Sequence, residues 1–206
     1  MSIVGGAVAG TVAGVLIAKN VKRTTDGIKA ARDAWGAVEG LELVTAPVDG
    51  TLKKATGSER PELRGSIGGC DVRVRIVSDI VHYAHTEIVA TPSDGRGVKG
   101  VEVGVHPSPR GMLGSVRSWL GQDIEVGDEA FDEAFLITGD PVSAAPQMLG
   151  AELRERLTSL DAGPFAGLVY DGDKATILMT GVVVEPEVIG LAVEAAVEAG
   201  AGAWAD

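Results

Sequence analysis

The residues able to do chemistry stand at spacings that keep them from doing it together. His82 and His85 are three apart in a segment that alternates like a strand, where such a spacing sends side chains to opposite faces and rules out a shared metal ion. His106 lies well away from both. Asp171-Gly172-Asp173 offers carboxylates at a turn, yet a divalent cation wants about six oxygens, more than the neighbouring sequence fixes. A hairpin turn is the better reading. Asp128, Glu129, Asp132 and Glu133 gather carboxylates as acid–base catalysis requires, but no opposing donor accompanies them. They read as an acidic exposed face suited to docking a basic protein partner.

Cys70 is the only cysteine, so no internal disulfide can form, and with no histidine suitably spaced it reads as a small buried apolar residue. The glycines near it, Gly65, Gly68, Gly69 and Gly104 among them, build no phosphate-cradling loop ending in Lys and a hydroxyl residue. A Gly-x-Ser-x-Gly elbow is missing as well. No catalytic, cofactor-binding or metal-binding residue is therefore assigned, no cofactor is expected, and the reading leans away from an enzyme.

Charge is distributed unevenly along the 206 residues. The formal net charge is −11, and residues 121–206 hold three Lys/Arg against seventeen Asp/Glu. A field of that sign repels phosphate backbones, so nucleic acid is not an expected partner. Aromatic residues are only 4% of the chain, which leaves the core to aliphatic side chains.

The elements that must position these groups follow from periodicity. Ile3 to Ala18 carries no charge over sixteen residues, a helix of about 24 Å against a hydrocarbon core of about 30 Å. Gly6, Gly10 and Gly14 recur on one face of that helix, the spacing by which helices associate closely. Lys19, Lys22 and Arg23 follow the apolar run and favour a body on the cytoplasmic side. Residues 1–20 thus read as a transmembrane helix or a helix buried against protein, with membrane association or a soluble cytoplasmic chain as the corresponding locations, and a homo-oligomer through the glycine face as one consequence. Residues 21–40 read as a helical linker, 41–202 as a single domain and 203–206 as a tail.

Within the body, Val72, Val74 and Ile76 alternate with Asp71, Arg73 and Arg75, the signature of a half-buried antiparallel strand. Leu63 to Ile67 is its hairpin partner, and strands at Val81–Thr91 and Val98–His106 follow. A short helix is expected at Met112–Leu120 and a strand through Phe131–Thr138. Asp140-Pro141 reads as a helix start, with Ala151–Leu160 the better half of that helix. A hairpin of Phe165–Tyr170 and Lys174–Thr180 precedes a final helix, Glu187–Ala199. The fold class is α+β, with an N-terminal hydrophobic helix, a mostly antiparallel β meander and two or three packing helices.

The run from Phe131 to Pro141, Phe-Asp-Glu-Ala-Phe-Leu-Ile-Thr-Gly-Asp-Pro, with the Leu-rich helix Leu149 to Leu160 after it, resembles a pattern in uncharacterised bacterial membrane-anchored proteins. The resemblance covers residues 120–185 and implies an N-terminal membrane segment. It carries over no catalytic residue. The functional expectation is a membrane-tethered, noncatalytic interaction or scaffold domain. Its rivals are a ligand-binding domain or hydrolase with a cavity between sheet and helices, and a subunit of a self-assembling complex.

Overall fold

The structure, a computed structural model, describes residues 22–47, 59–77, 84–108 and 123–201. Residues 22–34 form helix α1, which presents Ile28 and Ala31 to the interior and runs into a single 3-10 turn at Trp35–Ala37. The indole of Trp35 is fully buried and donates from Nε1 to the Val183 carbonyl at 3.0 Å, which pins the end of the helix to the far end of the chain.

Eight strands follow: β1 (Glu42–Pro47), β2 (Glu59–Ile67), β3 (Cys70–Val77), β4 (His85–Pro92), β5 (Glu102–Pro107), β6 (Phe135–Asp140), β7 (Phe165–Tyr170) and β8 (Ala175–Thr180). All lie in one antiparallel sheet of order β1-β2-β3-β4-β8-β7-β5-β6. β2, β3 and β4 run as the expected meander, with β1, which was not expected, added before them. Between β2 and β3 the turn is Gly68-Gly69, with φ of +58° and +79°, the backbone that a two-residue hairpin loop of the primed type demands. The meander then breaks, because β4 takes β8 as its next neighbour and β5 ends up beyond β7.

Helices α2 (Glu129–Ala134), α3 (Ala144–Met148), α4 (Ala151–Asp161) and α5 (Pro186–Gly200) complete the described fold, which is α+β. α5 packs across β3, β4, β7 and β8, α4 lies against α5 and β7, and α2 and α3 sit on β6. The expected helix start at Asp140-Pro141 is corrected: Asp140 is the last residue of β6, paired with Glu102, and the helix begins at Ala144. The expected strand over Phe131–Thr138 divides instead. Phe131 belongs to α2, Phe135 opens β6, and their rings stack at 4.5 Å. Asp128 causes the division by capping α2, its carboxylate accepting from the Phe131 N–H at 3.3 Å.

Expectations resting on a membrane segment are also corrected. Among the described residues no helix is long and apolar enough to cross a membrane, so the transmembrane helix, the membrane as partner and the membrane-associated location with a cytoplasmic body find no support. The basic protein partner and the homo-oligomer find none either. Residues 3–18, with Gly6, Gly10 and Gly14, lie outside the described residues, as does the expected helix at Met112–Leu120.

Candidate functional site

Strand alternation and register together sort the side chains onto two faces. Leu63, Val74, Ile88, Ile177, Leu168, Val105 and Ile137 form one continuous cross-strand row, all essentially unexposed and covered by the helices. The opposite row runs Arg64, Arg73, Val89, Thr176, Val169, Gly104 and Thr138. No described helix covers this second face.

Two shallow grooves occupy it. The first, about 470 Å³, is lined by Arg64, Arg73, Arg75, Glu87, Val89 and Thr176 among others. In the second, about 530 Å³, the lining includes Glu102, Gly104, His106, Thr138, Asp140, Val169 and Asp171. They meet where Thr176 of β8 and Val169 of β7 are register partners. Val169 is 38% exposed, one of two large hydrophobic side chains among the described residues that remain so open.

The polar end of the first groove is built on a buried acid. The Glu62 side chain is only 7% exposed, and its Oε1 accepts from Nε of Arg64 at 2.5 Å and from Nε of Arg73 at 3.0 Å. Arg64 and Arg73 stand directly opposite each other on β2 and β3, an arrangement of like charges that costs stability unless something lies between them. Glu62 supplies that, and its hydrogen bond and charge raise the Arg64 pKa. Arg75 pairs in the same manner, through Nε, with Glu87 on the next strand. At the loop end Asp171 meets Lys174 at 3.2 Å. Burial works against the charge of Asp171, but the Lys174 ammonium and the backbone N–H groups of Asp173 and Lys174 outweigh it and hold the carboxyl below its usual range.

The second groove has a glycine floor. A Cβ on Gly104 would meet Thr138 Oγ1 at 2.7 Å, and one on Gly167 would meet His106 Nδ1 at 2.6 Å, so the His106 ring packs over two glycines, and a side chain at either would displace its neighbour. Tyr170 closes the end of this groove from the core side, accepting from Val98 N–H at 2.9 Å and donating to the Gly172 carbonyl at 3.1 Å.

The residues singled out from sequence do not assemble into one site. His82 lies outside the described residues. His85 opens β4 and His106 lies on β5, with β8 and β7 between them. Asp128 and Asp132 are committed within their own segment: Asp128 caps α2 and meets Arg154 at 3.3 Å, while Asp132 accepts from the N–H groups of Val126, Gly127 and Asp128. Glu129 and Glu133 are exposed and border, with Asp123 and Glu125, a separate acidic hollow. Asp171 serves its turn, accepting from Asp173 and Lys174 N–H. Cys70 is fully buried against Val197, and that burial, aided by Asp71 and Asp94, pushes its thiol pKa up. Among the described residues no three His, Cys, Asp or Glu come together to hold a metal ion. The convergence that a hydrolase would need is not found in the described part. The arginine end went unnoticed because alternation marks Arg73 and Arg75 as outward-facing and says nothing of who stands opposite.

A crystal structure of the mycobacterial trehalose monomycolate transport factor A resembles this fold, with a TM-score of 0.53 over 86% of this chain and 96% of that chain at 11% sequence identity. No protein-family model and no curated protein sequence matches the chain.

Proposed function

We propose that the domain is a noncatalytic binding module for an amphiphile, taken up on the open face of the sheet. The observation that carries this reading is the composition of that face: a charged arginine end on β2–β4 passes directly into the row Val89, Thr176 and Val169. A polar head and an apolar chain in one molecule match that sequence of surfaces, in keeping with binding sites that combine apolar lining with a few placed polar groups. The fold neighbour is by its name a factor in the transport of trehalose monomycolate, which is in keeping with a binding rather than a catalytic role. A smaller hollow of about 300 Å³ lies between α1 and the end of β8, lined by Arg23, Gly27, Ala84, Thr180 and Val182 among others; the two grooves of the open face are larger and adjoin each other, which favours the face as the binding surface.

Titration with an environment-sensitive acyl probe tests it. Val169→Glu is expected to weaken probe binding roughly tenfold through lost apolar contact and an unpaired charge. Val142→Glu, at the other exposed hydrophobic position, is expected to leave binding unchanged. Equal affinity in the unmodified chain and the Val169 variant would remove the open face from consideration.

A further inference from the structure

The arginine end has a layered charge. Glu62 and Glu87 lie low, with side chains 7% and 16% exposed, whereas Arg64, Arg73 and Arg75 rise above them at 51%, 49% and 45%. The negative charges are inside and the positive ones face outward, on a chain whose net charge is −11. Each arginine is tied to its carboxylate through Nε, one side of the guanidinium. A guanidinium offers five N–H donors in a fixed fork, and the outer edge formed by its two terminal nitrogens is geometrically distinct from the Nε side. Three such edges are thus held over one groove by acids that set their direction.

We infer that this end of the groove is a seat for a phosphate-type oxyanion, the head of the amphiphile whose apolar chain runs along Val89 and Val169. The inference rests on the amphiphile reading and adds the chemistry of the head. Three guanidinium edges exceed what the two oxygens of a carboxylate can accept and suit the three terminal oxygens of a phosphate monoester. The buried Glu62 explains why the chain tolerates Arg64 and Arg73 face to face: it orients both and neutralises one, leaving an outward positive field that a bound anion would complete. Lys174 and Asp71 flank the groove, each already engaged, with Asp171 and with the Ser93 hydroxyl.

Calorimetric titration of the full chain with decyl phosphate, with neutral decyl glucoside and with inorganic phosphate, the two detergents below their micelle-forming concentrations, decides the matter. Decyl phosphate is expected to bind about tenfold more tightly than decyl glucoside, the worth of one charge-assisted hydrogen bond. Arg73→Gln is expected to erase that preference while leaving decyl glucoside affinity unchanged, with only a partial loss of thermal stability because Arg64 still holds Glu62, and Arg73→Lys to restore part of the preference. Equal affinities for the two detergents overturn the oxyanion seat and leave the amphiphile reading standing. Inorganic phosphate binding as tightly as decyl phosphate makes the free ion the ligand and overturns both, as does binding of neither detergent. An Arg73→Gln variant that loses decyl glucoside as well assigns Arg73 a structural role and overturns the seat.

Discussion

The Thr86 hydroxyl lies at the junction between β4 and the segment that leaves β8. It is fully buried, donates to the Gly181 carbonyl at 3.1 Å and accepts from the Val183 N–H at 3.0 Å. Residues 181–184 belong to neither β8 nor α5, so two of their backbone groups find partners in this one side chain. Valine has the same shape and no hydroxyl. Thr86→Val therefore leaves a buried N–H and C=O unsatisfied, at a cost of about 2 kcal/mol, and Thr86→Ser, which keeps the hydroxyl, costs less. Urea unfolding should show a lower midpoint for the valine variant at an unchanged slope; an unaltered midpoint would mean that the hydroxyl does not hold the segment.

Helix α5 shows how one element can ask opposite things of the same residue type. Its inward positions Ile189, Ala192, Val193, Ala196 and Ala199 recur at three- and four-residue spacing, and their small size lets the helix approach the sheet. At its last residue the approach is closest: a Cβ on Gly200 would stand 2.9 Å from the Ala90 carbonyl oxygen. Gly190, in the same helix, has nothing within 4 Å of the place its Cβ would take. Gly190→Ala is expected to stabilise the protein by up to about 1 kcal/mol through helix propensity, whereas Gly200→Ala is expected to destabilise it by overpacking, by about 1 kcal/mol or more. Thermal melts of both variants check the pair, and a shift of the same sign in both would contradict the close approach.

This helix was legible in the sequence because its period, its Pro186 start and its length agree. The segment 128–140 was not. Phe131 and Phe135 are four apart, a spacing that suits a helix face as well as two same-side positions of a strand, and only the cap by Asp128 decides that the first lies in α2 and the second in β6. Asp140-Pro141 has the composition of a helix start and yet ends a strand, since the Glu102–Asp140 pairing is a property of β5, thirty-eight positions earlier, which no local pattern reports.

At the scale of the molecule, the same limit explains what sequence could and could not reveal about the sheet. Hairpins joined by short turns announce their own partners, and β2–β3 and β7–β8 were read correctly as pairs. The joint between β4 and β8 brings together strands some ninety positions apart, and nothing in either strand names the other. The charged face was visible as alternation in β3, but its assembly into a groove needed the register across four strands.

That joint also carries the expectation that residues 41–202 make one domain. Ile88 and Ile177 are register partners across it, both fully buried in the same core. If the sheet is one cooperative unit, truncating Ile177 must weaken the meander β1–β4 and the strands β5–β8 alike. Ile177→Ala is expected to cost about 2–5 kcal/mol and to keep a single unfolding transition, seen at the same midpoint by tryptophan fluorescence and by far-ultraviolet circular dichroism. Fluorescence reports side-chain packing around the indoles and circular dichroism reports the backbone, so the two probes follow different aspects of the fold. Separate midpoints would show that the β4–β8 joint is a contact between two independently folding halves, and the groove that runs across it would then change shape whenever they move.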